Sequence, residues 1–297
     1  MIQLKNELVN IKINPFGGTL DSVVIKNVDG SADELLWQGD EKSWLSKDAV
    51  IFPMIGRLKD KKYTVDKTSY SMEIHGLARY SMFEIESQSQ NEATLKLSWN
   101  EESLKKYPFK FILRIRYKLL DNSLVTLYEV ENGGKEAMPF MIGAHAGYII
   151  DGIETENGTD TSGNFLIFDN IGFLKKYKVN GQSLLIDGVE DVGFKTIFEL
   201  KKSLFKDDAL VFVKPERDIT IVRKNRISIH FILNNPPVLA VWSHAQYGNF
   251  VCVEPWWGLP DEQLSKSEMC QKSNINMLSA GDKFDYEFTT QYIPCDD

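Results

Sequence analysis

The sequence predicts an all-β protein: one large antiparallel β-sandwich with few short helices, in a single domain over residues 1–297. Two observations support this prediction. Apolar and polar residues alternate with the period of a half-buried strand, so that Phe111, Leu113 and Ile115 fall on one face. Polar turn residues, as at 121–123, separate the alternating segments. Many short strands joined by turns favour an antiparallel sandwich or barrel.

The individual strands follow from this alternation in chain order. Three hairpins and a final strand are predicted, and each hairpin turns at polar residues. The predicted strands cover 83–85 and 95–99, 109–117 and 124–130, 219–221 and 227–233 (through Lys224-Asn225), and 284–288. Helical periodicity is confined to 101–107 and 262–270. No linker-like tract or fixed-period repeat interrupts the chain, so a single domain is the simplest organisation.

Composition narrows the possible partners. Hydrophobic residues make up 43% and charged residues 26% of the chain, as in ordinary globular proteins. The formal net charge of -8 argues against nucleic acid or an anionic membrane surface, because both attract basic patches. No apolar stretch approaches the length that spans a bilayer. We therefore expect no nucleic-acid or membrane partner, whereas a small neutral molecule is easily accommodated.

Cysteine usage predicts a compartment. Cys252, Cys270 and Cys295 are odd in number and lack the spacing of a metal site. Free thiols are typical of a reducing compartment, and the first residues show no basic segment followed by an apolar run. The sequence therefore predicts a cytoplasmic location and no metal.

Histidine is the side chain best placed to move protons near neutral pH, and there are only four of them. His230 lies within an alternating strand and His244 at the entrance of a loop, so we expect peripheral, structural roles for both. His75 and His145 are flanked by glycine, which permits tight backbone paths and the close approach of a ligand. Taken alone, each is more simply explained as a loop histidine.

A further candidate lies in Val251-Cys252-Val253-Glu254-Pro255-Trp256-Trp257-Gly258. Burial at the end of an apolar strand raises the pKa of a carboxyl such as Glu254, because desolvation disfavours its charged form. Such a group is a candidate general base near neutral pH. The face of Trp256 suits the C–H groups of a sugar. A surface glutamate beside core tryptophans explains this segment equally well.

Taken together, these segments resemble the aldose 1-epimerase (mutarotase) family, and especially its branch of LacX-like proteins. The resemblance follows their order and spacing over nearly the whole chain. It is carried by Gly17-Gly18-Thr19-Leu20, Phe52-Pro53-Met54-Ile55-Gly56-Arg57-Leu58, His75-Gly76-Leu77-Ala78-Arg79, Gly143-Ala144-His145, Leu204-Phe205-Lys206-Asp207-Asp208-Ala209-Leu210 and Cys252-Val253-Glu254-Pro255-Trp256-Trp257-Gly258.

The resemblance implies a galactose mutarotase-like supersandwich with an open cleft on one sheet, which interconverts the α and β anomers of a free aldose without a cofactor. It implies that Glu254 is the general base for the anomeric hydroxyl and that His145 is the general acid for the ring oxygen. His75 and Arg57 would hold sugar oxygens, and Trp256 would contact the sugar.

Two details of the implied site stay open: which aspartate binds the sugar, and how rigidly the acid histidine is held. Asp208 would bind a sugar hydroxyl, but the adjacent Asp207 is an alternative. The family usually follows its acid histidine with proline and an aromatic residue, whereas Ala146 and Gly147 follow His145 here. Because proline fixes the backbone, its loss predicts a less rigidly placed acid.

Two rival functions keep the same fold. A hexose 6-phosphate 1-epimerase needs cations for the phosphate, typically arginine; Arg57 and Arg79 are available, but no dense arginine cluster accompanies the motifs. A non-catalytic sugar-binding or regulatory module also remains, since a fold does not establish an activity. Against the latter, a pure binder has no need of the acid, the base and the arginine together.

Other chemistries fit less well. A glycosidase ordinarily uses two carboxylates, and the resemblance supplies one. Cys252 lies in apolar surroundings, which predicts an inert thiol. Exposed edge strands permit pairing without requiring it, so we expect a monomer or a weak homodimer.

Overall fold

Strands dominate the structure, a computed structural model that describes residues 1–27, 29–180, 185–224 and 227–293. Strands account for 51% and helices for 6% of the chain, which confirms the predicted all-β class. The predicted turn residue Asn225 and the third cysteine, Cys295, lie outside the described residues. Among the described residues, no helix is long and apolar enough to cross a membrane.

The strands are short and follow one another closely. In chain order they are β1 (Ile2–Lys5), β2 (Val9–Asn14), β3 (Thr19–Lys26), β4 (Ala32–Glu34), β5 (Val50–Ile51), β6 (Lys62–Val65), β7 (Thr68–Ser71), β8 (Glu84–Gln88), β9 (Glu92–Ser98), β10 (Phe111–Leu120), β11 (Ser123–Asn132), β12 (Met138–Phe140), β13 (Ile142–Ala144), β14 (Ala146–Ile149), β15 (Ile153–Thr155), β16 (Gly158–Asp160), β17 (Phe165–Phe168), β18 (Leu174–Val179), β19 (Leu185–Gly193), β20 (Ile197–Glu199), β21 (Leu210–Val213), β22 (Ile219–Val222), β23 (Ser228–Ile232), β24 (Val238–Trp242), β25 (Phe250–Trp257), β26 (Asn276–Leu278) and β27 (Lys283–Ile293).

Helices are few. The helix α1 (Glu101–Leu104) begins at Asn100, whose side chain accepts a hydrogen bond from the backbone N–H of Ser103; this confirms the first half of the helix predicted at 101–107. Single 3-10 turns cover Lys59–Lys61, Ala78–Tyr80, Lys202–Phe205 and Met269–Gln271.

The helix predicted at 262–270 is wrong. This segment forms turns and only a final 3-10 turn, because its ends are held by distant polar partners. Asp261 accepts the backbone N–H of Lys59 at 3.0 Å and pairs with the buried ammonium of Lys272 at 2.5 Å. Leu264, which an amphipathic helix would bury, is 86% exposed.

Two large sheets form the sandwich, and every ladder between the described strands is antiparallel. The nine-stranded sheet has the order β20-β17-β22-β23-β27-β11-β10-β9-β8. The eight-stranded sheet has the order β19-β18-β21-β24-β25-β13-β5, with β14 also paired to β25. The N-terminal strands β1 to β4 form a smaller sheet.

The main core lies between the two large sheets. Phe111, Leu113 and Ile115 of β10 are fully buried, as the alternation predicts, and belong to the same cluster as Val251 and Val253 of β25. Because successive side chains of a strand point to opposite faces, the alternate residues of β25 lie on the other face of the eight-stranded sheet. That face carries the candidate site.

Candidate active site

The centre of the site is a cross-strand pair. β25 pairs with β13 at Gly143↔Trp256 and with β14 at Ala146↔Val253, and the register is the same on both sides. His145, between the two short strands, therefore lies directly opposite Glu254. Directly opposite residues have Cβ atoms about 5 Å apart, and His145 Nε2 lies 3.4 Å from Glu254 Oε1. We call His145 and Glu254 the buried pair.

Burial sets the electrostatics of the glutamate. Glu254 is 1% exposed, and this burial raises the pKa of its carboxyl well above the ordinary value. Asp208 raises this pKa further by charge repulsion. The Trp256 indole N–H lowers it, although this group makes no hydrogen bond of normal geometry with a described residue. Arg79 lowers it as well. The sequence left a buried and a surface carboxyl equally open, and the structure shows the buried one.

The histidine is shifted in the opposite direction. Burial first, and then the charge of Arg79, lowers the pKa of His145 to about 3. Contact with an ionised Glu254 favours the charged imidazole and opposes this shift. Both shifts disfavour charge, so burial favours the neutral form of the pair, with the proton on the carboxyl, and the two groups titrate together.

Several polar atoms around the buried pair have no hydrogen-bond partner among the described residues. They are His145 Nδ1, Glu254 Oε2 and Trp256 Nε1, and each is inaccessible to solvent. Buried polar atoms in native proteins are nearly always paired. A polyhydroxylated ligand could satisfy such a set, because each hydroxyl both donates and accepts.

His75 stands beside the buried pair on a loop. Its ring meets that of His145 edge to face, with centroids 5.0 Å apart, and the backbone N–H of Gly56 donates to its Nδ1 at 3.3 Å. Burial, and then the charge of His145, lowers the pKa of His75 well below 6.5. The ring is therefore neutral, with its proton on Nε2, and can donate one hydrogen bond.

The predicted polar ligands surround this centre at different depths. Arg57 is exposed and Arg79 half-buried; both lower the pKa of His75, after burial and His145. Asp208 is half-buried and acts on the charge of Glu254, whereas Asp207 is exposed. The structure thus favours Asp208 over its neighbour as the carboxylate nearer the centre.

Tryptophans, rather than empty space, lie against the glycines that flank His145. A Cβ on Gly143 would lie 2.7 Å from Trp256 Cδ1, and one on Gly147 would lie 2.8 Å from Trp44 Cζ3. The sequence suggested that these glycines allow a ligand to approach; they instead allow two indole rings to approach. Trp256 is 4% exposed and forms a wall beside Glu254.

Three aromatic or charged neighbours of the buried pair were not predicted from the sequence. Trp44 stacks on the His145 ring with centroids 5.0 Å apart, and Trp242 meets the same ring edge-on at 5.8 Å. The sequence suggested Arg79 only as a ligand for a phosphate, yet its charge acts on both members of the buried pair. For Trp44 the available signal was a tryptophan in a largely polar segment, 39–48.

The remaining histidines lie apart in structural roles. His230 Nδ1 lies 3.0 Å from Thr220 Oγ1 on a neighbouring strand of the nine-stranded sheet. His244 Nδ1 accepts the backbone N–H of Tyr247 at 2.9 Å and so closes a turn. That neither histidine takes part in catalysis stays a prediction.

Two groups of potential metal ligands occur in the described part of the chain. In each, ligand atoms lie within 4.8 Å of one another; the groups are His145, Cys252 and Glu254, and Asp169, Asp218 and His230. The first is the buried pair with a thiol beneath it. Burial raises the pKa of Cys252 well above 9.0, which disfavours the thiolate that a metal requires. The absence of a metal stays a prediction.

Comparison with known proteins agrees with this geometry. The family model described as "Aldose 1-epimerase" matches residues 1–272. Protein LacX (chromosomal) of Lactococcus lactis subsp. lactis is 30% identical over 266 residues, which cover 87% of this chain and 88% of LacX.

Solved structures show the same architecture. A galactose mutarotase related enzyme from Lactobacillus acidophilus superposes with a TM-score of 0.89 at 28% identity, covering 98% of this chain and 96% of that one. A galactose mutarotase-like protein from Lactobacillus casei ATCC 334 gives a TM-score of 0.89 at 26% identity, covering 98% and 99%. The predicted galactose mutarotase-like sandwich is confirmed.

Proposed function

Because this chain belongs to the aldose 1-epimerase family, we propose that it interconverts the α and β anomers of a free aldohexose by general acid–base catalysis. The observation that carries the proposal is the buried pair: a carboxyl and an imidazole, 3.4 Å apart, whose pKa values burial moves in opposite directions. Groups displaced in this way are the usual acid and base of an active site.

The reaction needs two proton transfers and no redox step. Glu254, as the carboxylate, takes the proton of the anomeric hydroxyl, while protonated His145 gives its proton to the ring oxygen as the C1–O5 bond breaks. Rotation about C1–C2 exposes the other face of the aldehyde. On closure the protonated Glu254 returns its proton to O1 and neutral His145 takes the proton of the attacking hydroxyl.

The buried pair therefore holds one proton before and after each step, because Glu254 gains the O1 proton as His145 gives its own proton to the ring oxygen. The form with charged glutamate and imidazolium reacts with the ring, and the form with neutral glutamic acid and imidazole reacts with the open chain. Burial favours the neutral form; the charge of Arg79 favours ionised Glu254 but disfavours the imidazolium, so the mutual attraction of the two charged groups stabilises the reactive form. General acid–base assistance of this kind contributes roughly 10²–10⁴-fold.

The surrounding residues bind and orient the sugar. His75 donates from Nε2, Asp208 accepts from a sugar hydroxyl, and Arg57 stabilises an oxygen that gains negative charge in the transition state. Trp256 offers an indole N–H and an apolar surface beside Glu254. No metal and no cofactor is needed for this chemistry, since both proton transfers are assigned to side chains.

A second candidate is the same reaction on a hexose 6-phosphate. The observation that favours it is that the charges of two arginines, Arg57 and Arg79, both act on His75. Arginine matches the oxygens of a phosphate. A sugar-binding module without activity is the third reading.

Anomer exchange separates these candidates. Two-dimensional exchange NMR on equilibrated D-glucose, D-galactose and D-glucose 6-phosphate measures the α-to-β rate with and without the protein. Acceleration for a free hexose supports the proposal, and acceleration confined to the phosphate ester supports the second candidate. Binding of any of these sugars without acceleration would replace both with the binding module.

A further inference from the structure

We infer that Trp44 is a positioning residue for His145: it stacks on the imidazole, takes the space that Gly147 leaves, and replaces the rigid residue that usually follows the acid. This inference rests on the proposed function for its catalytic consequence. Its structural content, the orientation of the His145 ring by Trp44, does not depend on that function.

A glycine in the strand that carries His145 provides the space for Trp44. Gly143, His145 and Gly147 occupy alternate positions and share the face of the sheet that carries Glu254. A Cβ on Gly147 would lie 2.8 Å from Trp44 Cζ3, closer than real Cβ contacts come. Any other residue at 147 therefore displaces the indole.

Trp44 belongs to a column of stacked rings. Its ring lies on that of His145 at 5.0 Å with 29° between the planes, and on that of Phe250 at 5.6 Å, again with 29°. Phe250 in turn stacks on Trp37 at 4.8 Å. The catalytic imidazole is thus the end member of a four-ring column that reaches into a buried aromatic cluster.

The loop that carries Trp44 is fixed to the same glycine. The backbone N–H of Gly147 donates to the carbonyl of Lys47 at 2.9 Å, and the carbonyl of Gly147 accepts the N–H of Trp37 at 2.9 Å. The indole N–H of Trp37 donates to the carbonyl of Trp44 at 2.8 Å. Both ends of the segment 37–47 are therefore tied to the strand beside the buried pair.

Ring packing matters here because no hydrogen bond of normal geometry from a described residue holds Nδ1, the imidazole nitrogen that faces away from Glu254. A catalytic base or acid is usually aligned by a third group that bonds to it. His145 Nδ1 has no such partner among the residues that the structure describes. The face of Trp44 and the edges of Trp242 and His75 hold the ring instead, and they keep Nε2 directed at Glu254.

Two substitutions at Trp44 test the inference, with Trp99, another half-buried tryptophan, as the matched control. Trp44→Leu should lower kcat by about tenfold or more, since misplacing a catalytic group by about 1 Å can cost 10²-fold, while KM changes much less. Trp44→Phe, which keeps an aromatic face, should recover most of the rate. Trp99→Leu should leave kcat within about twofold.

NMR supplies a readout that does not need activity. The His145 ring protons can be assigned by their loss in His145→Asn, because the chain has only four histidines. Stacking on Trp44 shifts these protons upfield in the parent protein. Trp44→Leu should move them downfield, and Trp99→Leu should not.

A double substitution tests the link to Gly147. Gly147→Ala should lower kcat in the parent, because its methyl group displaces the indole, and should cost much less when combined with Trp44→Phe. An unchanged kcat and unchanged His145 shifts in Trp44→Leu would overturn the inference. If the parent protein shows no epimerase activity, the proposed function fails, and the NMR shifts alone still decide whether Trp44 orients the ring.

Discussion

Replacing Gly76 tests how the loop that carries His75 is held against the sheet. Gly76 has φ +81°, and a Cβ there would lie 2.2 Å from the carbonyl oxygen of Phe52 and 2.7 Å from the backbone nitrogen of Pro53. These neighbours are backbone atoms, so they cannot turn aside as a flexible side chain would. The backbone of Phe52 also binds the loop through two hydrogen bonds. Its carbonyl accepts the N–H of Leu77 at 2.8 Å, and its N–H donates to the carbonyl of His75 at 3.2 Å.

The loss of stability expected for Gly76→Ala has two parts. The left-handed conformation costs a residue with a Cβ roughly 1–2 kcal/mol, and forcing a methyl group into packed structure costs about 1–3 kcal/mol more. We therefore expect Gly76→Ala to lower the free energy of unfolding by about 2–5 kcal/mol. Because the loop must move away from Phe52, His75 leaves its place beside His145 and the epimerase rate falls as well.

Gly281 provides the matched control. It has φ +78° and nothing within 4 Å of its missing Cβ, so Gly281→Ala carries the conformational cost alone, about 1–2 kcal/mol. Urea unfolding followed by tryptophan fluorescence gives both free energies, and polarimetry gives both rates. A loss of stability in Gly76→Ala that is no greater than in Gly281→Ala would contradict the clash with Phe52. An epimerase rate equal to that of the parent would contradict the displacement of His75.

Three further predictions concern buried charge. Burial raises the pKa of Asp48 from 3.8 to about 6, so the folded state binds this proton more tightly and the free energy of unfolding falls by about 3 kcal/mol as pH rises from about 3 to 7. Asp48→Asn, which keeps an acceptor for the N–H of Leu20, should remove that part of the slope in urea titrations at several pH values, and an unchanged slope argues against the shift. Lys272→Met strands the buried carboxylate of Asp261 and should cost about 3–5 kcal/mol, measured by the same unfolding; a loss below about 1 kcal/mol, typical of exposed pairs, contradicts the pairing. The buried pair reacts while it holds one proton. Burial resists both the addition of a second proton to the imidazole and the loss of the proton from the carboxyl. We therefore expect kcat/KM to stay level through pH 6.5, and an acid limb centred there would count against this assignment.

Much of the fold was predictable because its signal is local. Alternation along β10 and β11 predicted a hairpin whose turn lies at 121–123, and the structure pairs Phe111 with Asn132 and Leu120 with Ser123. The failed helix at 262–270 has a long-range cause: the bonds of Asp261 to Lys59 and Lys272 outweigh the local periodicity.

The site was predictable in its residue types and not in its geometry. Glu254 and His145 were recognisable from their motifs, but their opposition depends on the pairing of β13 and β14 with β25, which no local pattern specifies. Trp44 had no motif around it, and its importance follows only from the space at Gly147. The less rigid acid that the sequence predicted from the missing proline is, in the structure, a histidine held between rings.

Mutarotation of freshly dissolved α-D-galactose and α-D-glucose, followed by polarimetry with the parent protein and with Glu254→Gln, decides whether Glu254 is the catalytic base. Glutamine keeps the size and polarity of the side chain but cannot take a proton, so we expect the fold to stay intact and the rate to fall by roughly 10²–10⁴-fold. A Glu254→Gln protein that accelerates mutarotation as well as the parent would contradict the assignment of the base, and with it the role of the buried pair.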